Sequence, residues 1–433
     1  MRRETIVLLL LLTAVTLWLY RQARADTESA LNFLPLVTKA EPPVMVEMRA
    51  LWVTRFDWTA WNGADPARID KIVADAAGAG FNTLFFQVRG AADAYYASPL
   101  EPWARRVSGA HGQPPQPYWD PLAYLIEQAH IAGLQVHAYL NVYPTAVCAD
   151  MPPESITPTP LYYQIIQAHG VDEGGAPNGL QWGAITAVCA DGYWWATPAS
   201  AFHDDHVIAV ALDIANRYAI DGLHLDRIRY AGRIYSCDPV SAAQSGVPCF
   251  ADPPPGYASY AAWQRAQVDN LVRRFYQEVI AAHPDVWLSA AVWPVHTKKE
   301  AWGWPEPYLQ GYSDLYQDSK GWLAAGTIDS ISPMIYPGSV NCPDDNIYWT
   351  QARWQTLVAD FQMESNGRYI IPGIGGAYCD FAEIEARIQM AREIGAAGHA
   401  LFSYGALESN GYFDDLAAGP YAVTAVVPPI PWR

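Results

Sequence analysis

Short apolar runs recur along the chain with amphipathic stretches between them, and the alternation becomes regular from Arg49 onward. The runs are Arg49 to Phe56, Phe81 to Val88, Leu134 to Asn141, Ile220 to Asp226, Val286 to Trp293, Ile328 to Tyr336, Tyr369 to Ile374 and His399 to Tyr404. Each predicts a strand. Helical spacing of apolar residues fills the intervals, over Pro66 to Ala79, Asp120 to Ala132, Asp204 to Tyr218, Tyr257 to Ala282, Ser313 to Ala325, Ile347 to Met363 and Phe381 to Ala396. Gly80, Gly133 and Gly398 stand between a helix and the next strand, where a left-handed cap residue is wanted. Strand and helix in alternation imply βα units on a parallel sheet, and eight of them predict an α/β fold, a (β/α)8 TIM barrel with long βα-loop insertions. A doubly wound open sheet is the competing arrangement, but no Gly-rich phosphate turn follows the first strand.

The connections give the barrel a direction. Gly90 to Trp119, Val142 to Ala201, Arg227 to Gly256, Pro294 to Tyr312 and Pro337 to Asn346 all follow strands, whereas the links from helix into strand are short. Long βα loops gather at the C-terminal face, where barrel active sites are built. Side chains alternate across a strand, so period two places Phe85, Gln87 and Arg89 on one face, and His137, Tyr139 and Asn141 on one face of the next strand. The same count gives His224 with Asp226, and Ser289, Ala291 and Trp293. Barrel interiors are normally filled by branched aliphatics, so polar and aromatic strand ends predict a ligand cavity. For His137 and His224 a hydrogen-bonded core histidine is an equal reading.

Asp226 ends the fourth run, and a carboxylate there must be paired or solvated. Arg229, three residues on, is a candidate structural partner, and catalysis is the other use. Glycoside hydrolysis normally needs two carboxyl groups, ~5–5.5 Å apart for retention or ~6.5–9.5 Å for inversion. Asp93, Glu101, Glu300, Glu306, Asp314 and Asp318 all follow strands. Asp318 is taken as the second catalytic candidate because a helix N-terminus favours a carboxylate, although the same position is ordinary capping. His137, His224 and Asp226 could instead form a two-His, one-carboxylate metal set. No His-Glu-x-x-His occurs, and no metal or other cofactor is expected; no Gly-x-Ser-x-Gly elbow is present either.

The start of the chain changes the compartment. Arginines at 2 and 3, an apolar run from Ile6 to Tyr20 and the small-x-small signal Ala23-Arg24-Ala25 read as a secretory signal peptide over residues 1–25. An uncleaved anchor is the rival, though the run is short of the ~20 residues that span a bilayer. Residues 26–47 read as a linker, 48–419 as the barrel and 420–433 as a tail with no assigned chemistry. Six cysteines in an exported chain suit three disulfides, with Cys237 and Cys249 the most local pair. The net charge is −17, which disfavours nucleic acid and anionic membranes; any membrane contact would run through the N-terminal segment. The 18 Trp and 26 Tyr offer flat faces for sugar rings or for a large core.

Several stretches together resemble one family. They are Met48 to Val53, Phe81 to Arg89, Asp93 to Ser98, Leu100 to Trp103, Tyr118 to Leu122, Val136 to Asn141, Asp221 to Tyr230, Ile328-Asp329 and Pro333 to Tyr336, in order over roughly residues 47 to 415. The chain is similar in these to the glycosyl-hydrolase-like family 10 of bacterial exported proteins. The resemblance implies a glycosidase-type (β/α)8 barrel, an extracytoplasmic location and a glycan substrate, cell-wall glycan strands being cleaved by some relatives. It puts the family's acidic position on Asp226 and polar positions on Arg89, Asp93, His137, Asn141 and Tyr336. The chain departs from the pattern at Ala231, where a proline commonly stands, and in long insertions from Cys148 to Ala199 and Cys237 to Pro255.

The expectation is therefore an exported glycoside hydrolase that cleaves O-glycosidic bonds in a polysaccharide by carboxylate acid/base chemistry. Asp226 and Asp318 would be catalytic. Arg89, Asp93, His137, Asn141, His224, Arg229, Trp293 and Tyr336 would contact the sugar, with Trp58 and Trp302 as further stacking faces. A non-catalytic glycan-binding protein and a metal-dependent hydrolase of glycan substituents are the alternatives.

Overall fold

The computed structural model describes residues 13–22, 44–251, 253–343 and 348–433. The signal-peptide cleavage motif and most of the linker lie outside the described residues. Residues 13–22 are helical, and no described helix is long and apolar enough to cross a membrane.

Eight strand positions form the sheet: β1 (Met48–Val53), β2 (Thr83–Arg89), β3 (Gln135–Asn141), β4 (Gly222–Asp226), β5 (Trp287–Val292), β6 (Ser330–Pro333), β7 in two pieces (Tyr369–Ile370 and Gly373–Gly375) and β8 (Gly398–Phe402). Each pairs in parallel with its neighbour in sequence, and β8 pairs with β1. The first piece of β7 pairs with β6 and the second with β8, so the ring closes through a strand interrupted at Pro372, which has no N–H to give. This is the (β/α)8 barrel that the alternation predicts.

The period-two faces also hold. Leu51, Val53, Leu84, Phe86, Val88, Leu223, Leu225 and Leu288 join the large cluster between strands and helices, whereas Met48, Trp52, Phe85, Tyr139, Trp287 and Ala291 form a separate cluster inside the barrel. Trp52 is the centre of that interior, edge-on to Phe85, His224, Tyr336 and Phe402 at centroid distances of 5.4 to 5.9 Å. Aromatic rings thus replace the branched aliphatics usual in barrels.

Helix ends follow their capping chemistry. Asp65, Asp120, Ser200 and Asp380 each accept a hydrogen bond from the first turn of the helix they precede. Gly80 is the expected left-handed cap, at φ 91°. Gly398 is not: Gly395 caps that helix, and Gly398 lies within β8, where a Cβ would fall 2.1 Å from the Met48 carbonyl oxygen. Close strand approach, not a cap, requires glycine there. The helix expected over Ser313 to Ala325 is two pieces, Gly311–Asp314 and Ser319–Ala325, because Asp318 starts a new cap.

The tail is an ordered strap. Ala425–Val426 pairs with Met45–Val46, Val427 and Ile430 pack against the barrel interior, and Trp432 Nε1 and Arg433 donate to buried Asp329. Asp329 is on the strand-entry side, so the strap covers the face opposite the long loops.

Three disulfides close, Cys148–Cys189, Cys237–Cys249 and Cys342–Cys379. Each ties loops that follow strands. The first closes a separation of 41 residues, worth about 4 kcal/mol on the chain-entropy account. Replacing Cys148 and Cys189 with serine should lower the thermal midpoint by several degrees; an unchanged midpoint in calorimetry would show that the packed insertion needs no staple.

Candidate active site

Asp226 is the half-buried last residue of β4. Its Oδ2 accepts from Tyr139 Oη at 2.6 Å and its Oδ1 from the backbone N–H of Arg227 at 2.6 Å. Arg227 is at φ 51°, a turn that ends the strand and carries its side chain toward Asp191, with Nη1 2.5 Å from Asp191 Oδ2. Burial is the main cause that pushes the Tyr139 and Tyr336 phenols well above their usual range, with the Asp226 charge acting in the same direction on both. Both phenols therefore stay protonated, and that of Tyr139 donates to the carboxylate. Tyr336 stacks on Phe402 at 4.7 Å, and a Cβ on Gly373 would strike its ring at 2.6 Å, so a glycine on β7 makes room for it.

A cavity of about 230 Å³ opens at the same mouth, lined among others by Arg55, Phe56, Trp61, Asp93, Arg106 and Tyr193; Asp226 does not line it and is joined to it through Arg227, whose side chain reaches Asp191 and Tyr193 of the lining. Arg55 follows β1, Asp93 follows β2, and Tyr193 belongs to the insertion stapled by Cys148–Cys189. Arg55 Nη2 donates to Tyr193 Oη at 2.5 Å. Asp93 accepts from Ala91 N at 2.7 Å and has no ion-pair partner among the described residues. Asp150 and Asp191, the other carboxylates of the lining, are both paired with arginine.

Several expected contact residues are structural instead. Arg89 is fully buried: it is bridged to Glu101 at 2.7 Å, donates to Val142 O at 3.0 Å and reaches Asn141 O. Its fork is spent on the scaffold and no part of it is exposed to a sugar. Burial raises the Glu101 carboxyl, but Arg89 and His206 outweigh it and hold the group at about 2. Asn141 donates to Gly90 O at 2.8 Å and is buried.

His224 lies below Asp226 in the barrel. Trp52 Nε1 donates to its Nε2 at 3.0 Å, which assigns the proton to Nδ1, and Nδ1 donates to Ser289 Oγ at 2.9 Å. Its ring stacks on Phe85 at 4.0 Å. His137 is a layer deeper, packed against Gly222, where a Cβ would be 2.5 Å from the ring. Both are core histidines rather than sugar contacts. The metal set fails for the same reason: both His224 nitrogens are taken and His137 points at Gly222.

Burial pushes His137 and His224 down to about 3 and His399 to about 4. An imidazole depressed in the folded state favours folding fully above its unfolded value, ~6.5, and loses that contribution as pH falls toward the folded value. The urea midpoint should therefore fall steadily between pH 7 and pH 4, before the Glu101 window near pH 4 to 2 is reached. A midpoint constant over that range would contradict neutral buried histidines.

Asp318 is not brought to Asp226. It caps the helix Ser319–Ala325, pairs with His296 at 3.1 Å and lines a groove with Asp269, Asn270 and Trp322 in the helical layer. Asp269 is raised to about 7, first by burial and then by the Asp318 charge among other groups. Trp58 is buried against Phe86 and Tyr95. Arg229 does not pair with Asp226; it is buried between Trp195 and Trp293, 5.2 and 5.3 Å from their ring centroids. Sequence reasoning missed Arg55, Tyr193, Trp195 and Arg227. The position of Arg55, just past β1, was the available signal; the insertion carrying Tyr193 and Trp195 had none.

A closed parallel barrel with a carboxylate at the C-terminal end of β4 and a polar, aromatic mouth defines a glycoside-hydrolase-type TIM barrel. The chain belongs to the Glycosyl hydrolase-like 10 family, whose profile matches residues 47–363. It is 26% identical over 422 residues to glycosyl hydrolase YngK of Bacillus subtilis (strain 168), covering 89% of this chain and 74% of that one. It is 25% identical over 338 residues to glycosyl hydrolase DigH of Escherichia coli (strain K12), covering 69% and 68%. Among solved structures, the PgaB (BpsB) glycoside hydrolase domain from Bordetella bronchiseptica shares the fold with a TM-score of 0.59 at 12% identity, covering 86% of this chain and 98% of that one.

Proposed function

We propose that the protein is an extracytoplasmic glycoside hydrolase that cleaves O-glycosidic bonds in a polysaccharide, with Asp226 as one catalytic carboxyl group. The observation that carries this is the placement of Asp226 at the end of β4, oriented through both oxygens by Tyr139 and Arg227, the latter's side chain reaching Asp191 in the wall of the mouth cavity. Asp93, the cavity carboxylate without an ion-pair partner among the described residues, takes the second role in place of Asp318. Tyr336 and Trp293 offer a hydroxyl and a ring face to the sugar. Family membership supports glycosidase chemistry, and the three disulfides suit an oxidising compartment.

The two carboxyl groups would divide the work as in other glycosidases: one protonates the leaving oxygen while the other attacks the anomeric carbon or activates water. Incubating the protein with a panel of polysaccharides, including peptide-free cell-wall glycan, should yield new reducing ends by mass spectrometry. Binding to glycans without any product over long incubation would overturn the enzyme reading and leave a glycan-binding barrel.

A further inference from the structure

The two donors on Asp226 come from different directions. Tyr139 pairs in register with His224, one inward layer below Asp226, so its phenol meets Oδ2 from inside the barrel, while the Arg227 N–H meets Oδ1 from the turn at the lip. The bond to Asp226 is the only one the Tyr139 phenol makes among the described residues, and the residue is 6% exposed, so its proton has no other acceptor there. The ring is held from beneath. It stands edge-on to His224 at 5.7 Å, and His224 is fixed by Trp52 from β1, by the stack on Phe85 from β2 and by Ser289 from β5, whose hydroxyl donates on to the Leu223 carbonyl at 3.2 Å.

The arrangement suits one protonation state. With Asp226 ionised, each oxygen accepts a charge-assisted hydrogen bond, stronger than its neutral counterpart. With a proton on Oδ2 the carboxyl group would have to donate to Tyr139, and the phenol proton would be left buried without an acceptor. A proton on Oδ1 would remove the charge that strengthens both bonds. The groups that face the carboxylate act in the same sense. Arg227 and Arg229, on its own turn, favour the ionised form, although Asp191 from the insertion pairs with Arg227 and offsets part of its charge. Tyr139 from β3 and Tyr336 from the loop after β6 stay protonated and bring no negative charge.

We infer that Tyr139 is a positioning residue that holds Asp226 ionised and in one orientation, so that Asp226 enters the reaction as the carboxylate and the second carboxyl group, Asp93 on the reading above, as the acid. In either glycosidase mechanism the ionised group supplies an electron pair to the anomeric carbon, its own or that of a water it deprotonates. The electrons of the broken C–O bond pass to the leaving oxygen, which takes its proton from the acid. The acid must be protonated before each turnover, and a buried donor aimed at Oδ2 opposes that at Asp226. The assignment rests on the glycan-hydrolase reading above and divides its two roles.

Tyr139→Phe removes one hydroxyl and keeps the ring, and two measurements on it test the inference. The first is the pH dependence of kcat/KM for wild type and variant on the glycan that the wild type cleaves. The acid limb, below which the carboxylate is lost, should move up by about one to two pH units, the equivalent of one charge-assisted hydrogen bond, with the basic limb unmoved. Movement of the basic limb instead would make Asp226 the acid and overturn the assignment. A profile unmoved at both limbs would reduce Tyr139 to packing and overturn it as well. The second measurement needs no turnover: the isotope-labelled carboxyl resonance of Asp226, identified by its loss in Asp226→Asn, is titrated in both proteins, and its midpoint should be higher in Tyr139→Phe by the same amount. An equal midpoint overturns the inference. Should the wild type cleave no glycan, the hydrolase reading falls, while a raised midpoint still upholds Tyr139 as the group that holds Asp226 ionised and an equal one overturns both.

Discussion

Arg89→Met should destabilise the protein by about 3–5 kcal/mol, the range for breaking a buried ion pair by removing one partner. The substitution leaves Glu101 buried without its main counter-charge, with only His206 at 3.0 Å, and frees the carbonyls of Asn141 and Val142. A paired change to Arg89→Met and Glu101→Leu should recover much of the loss, because no buried charge then remains. Urea unfolding of the two variants checks this. If Arg89 were instead a sugar contact, the single variant would retain its stability and lose only glycan affinity.

That result separates two roles which the sequence leaves merged. Period two places Arg89 on the inward face correctly, but face says nothing about whether a fork is already occupied. The partner, Glu101, lies in an irregular loop, and no local pattern announces the pair. His137 and His224 fail for a related reason: alternation points both into the barrel, and their depth depends on strand register, which pairs His137 with Gly222 and His224 with Tyr139. Register is a property of the closed sheet. Only Asp226, at the strand's last position, comes out at the mouth.

The parts that were legible are those governed by local physics. The alternation of strand and helix gave the barrel, Gly80 between helix and strand gave a left-handed cap, and long connections after strands gave the face that carries the cavity. The cysteine count gave three bridges, and the most local pair, Cys237–Cys249, is among them. Asp318 shows the limit: helix capping was the bland explanation of its position, and capping is what the carboxylate does. At the mouth, Arg55, Arg106, Tyr193, Arg227 and Trp293 come from the loops after β1, β2, β3, β4 and β5, and no linear pattern joins them.

Asp226→Asn should reduce kcat by on the order of 10³-fold, within the span that a positioned acid or base contributes. The amide can still accept from Tyr139, so fold and glycan affinity should change little, and the loss should appear in kcat rather than KM. Asp93→Asn should show a comparable loss. Added azide should restore part of the rate in whichever variant lacks the nucleophile of a retaining enzyme, since the small anion can then attack in place of the carboxylate.

The most direct measurement is a side-by-side count of new reducing ends released by the wild-type and Asp226→Asn proteins, at equal concentration, from the polysaccharide that the wild type cleaves. The account predicts abundant ends from the wild type and, from a variant with unchanged circular dichroism, a rate lower by on the order of 10³-fold. Equal release from the two proteins would contradict it and remove Asp226 from the chemistry.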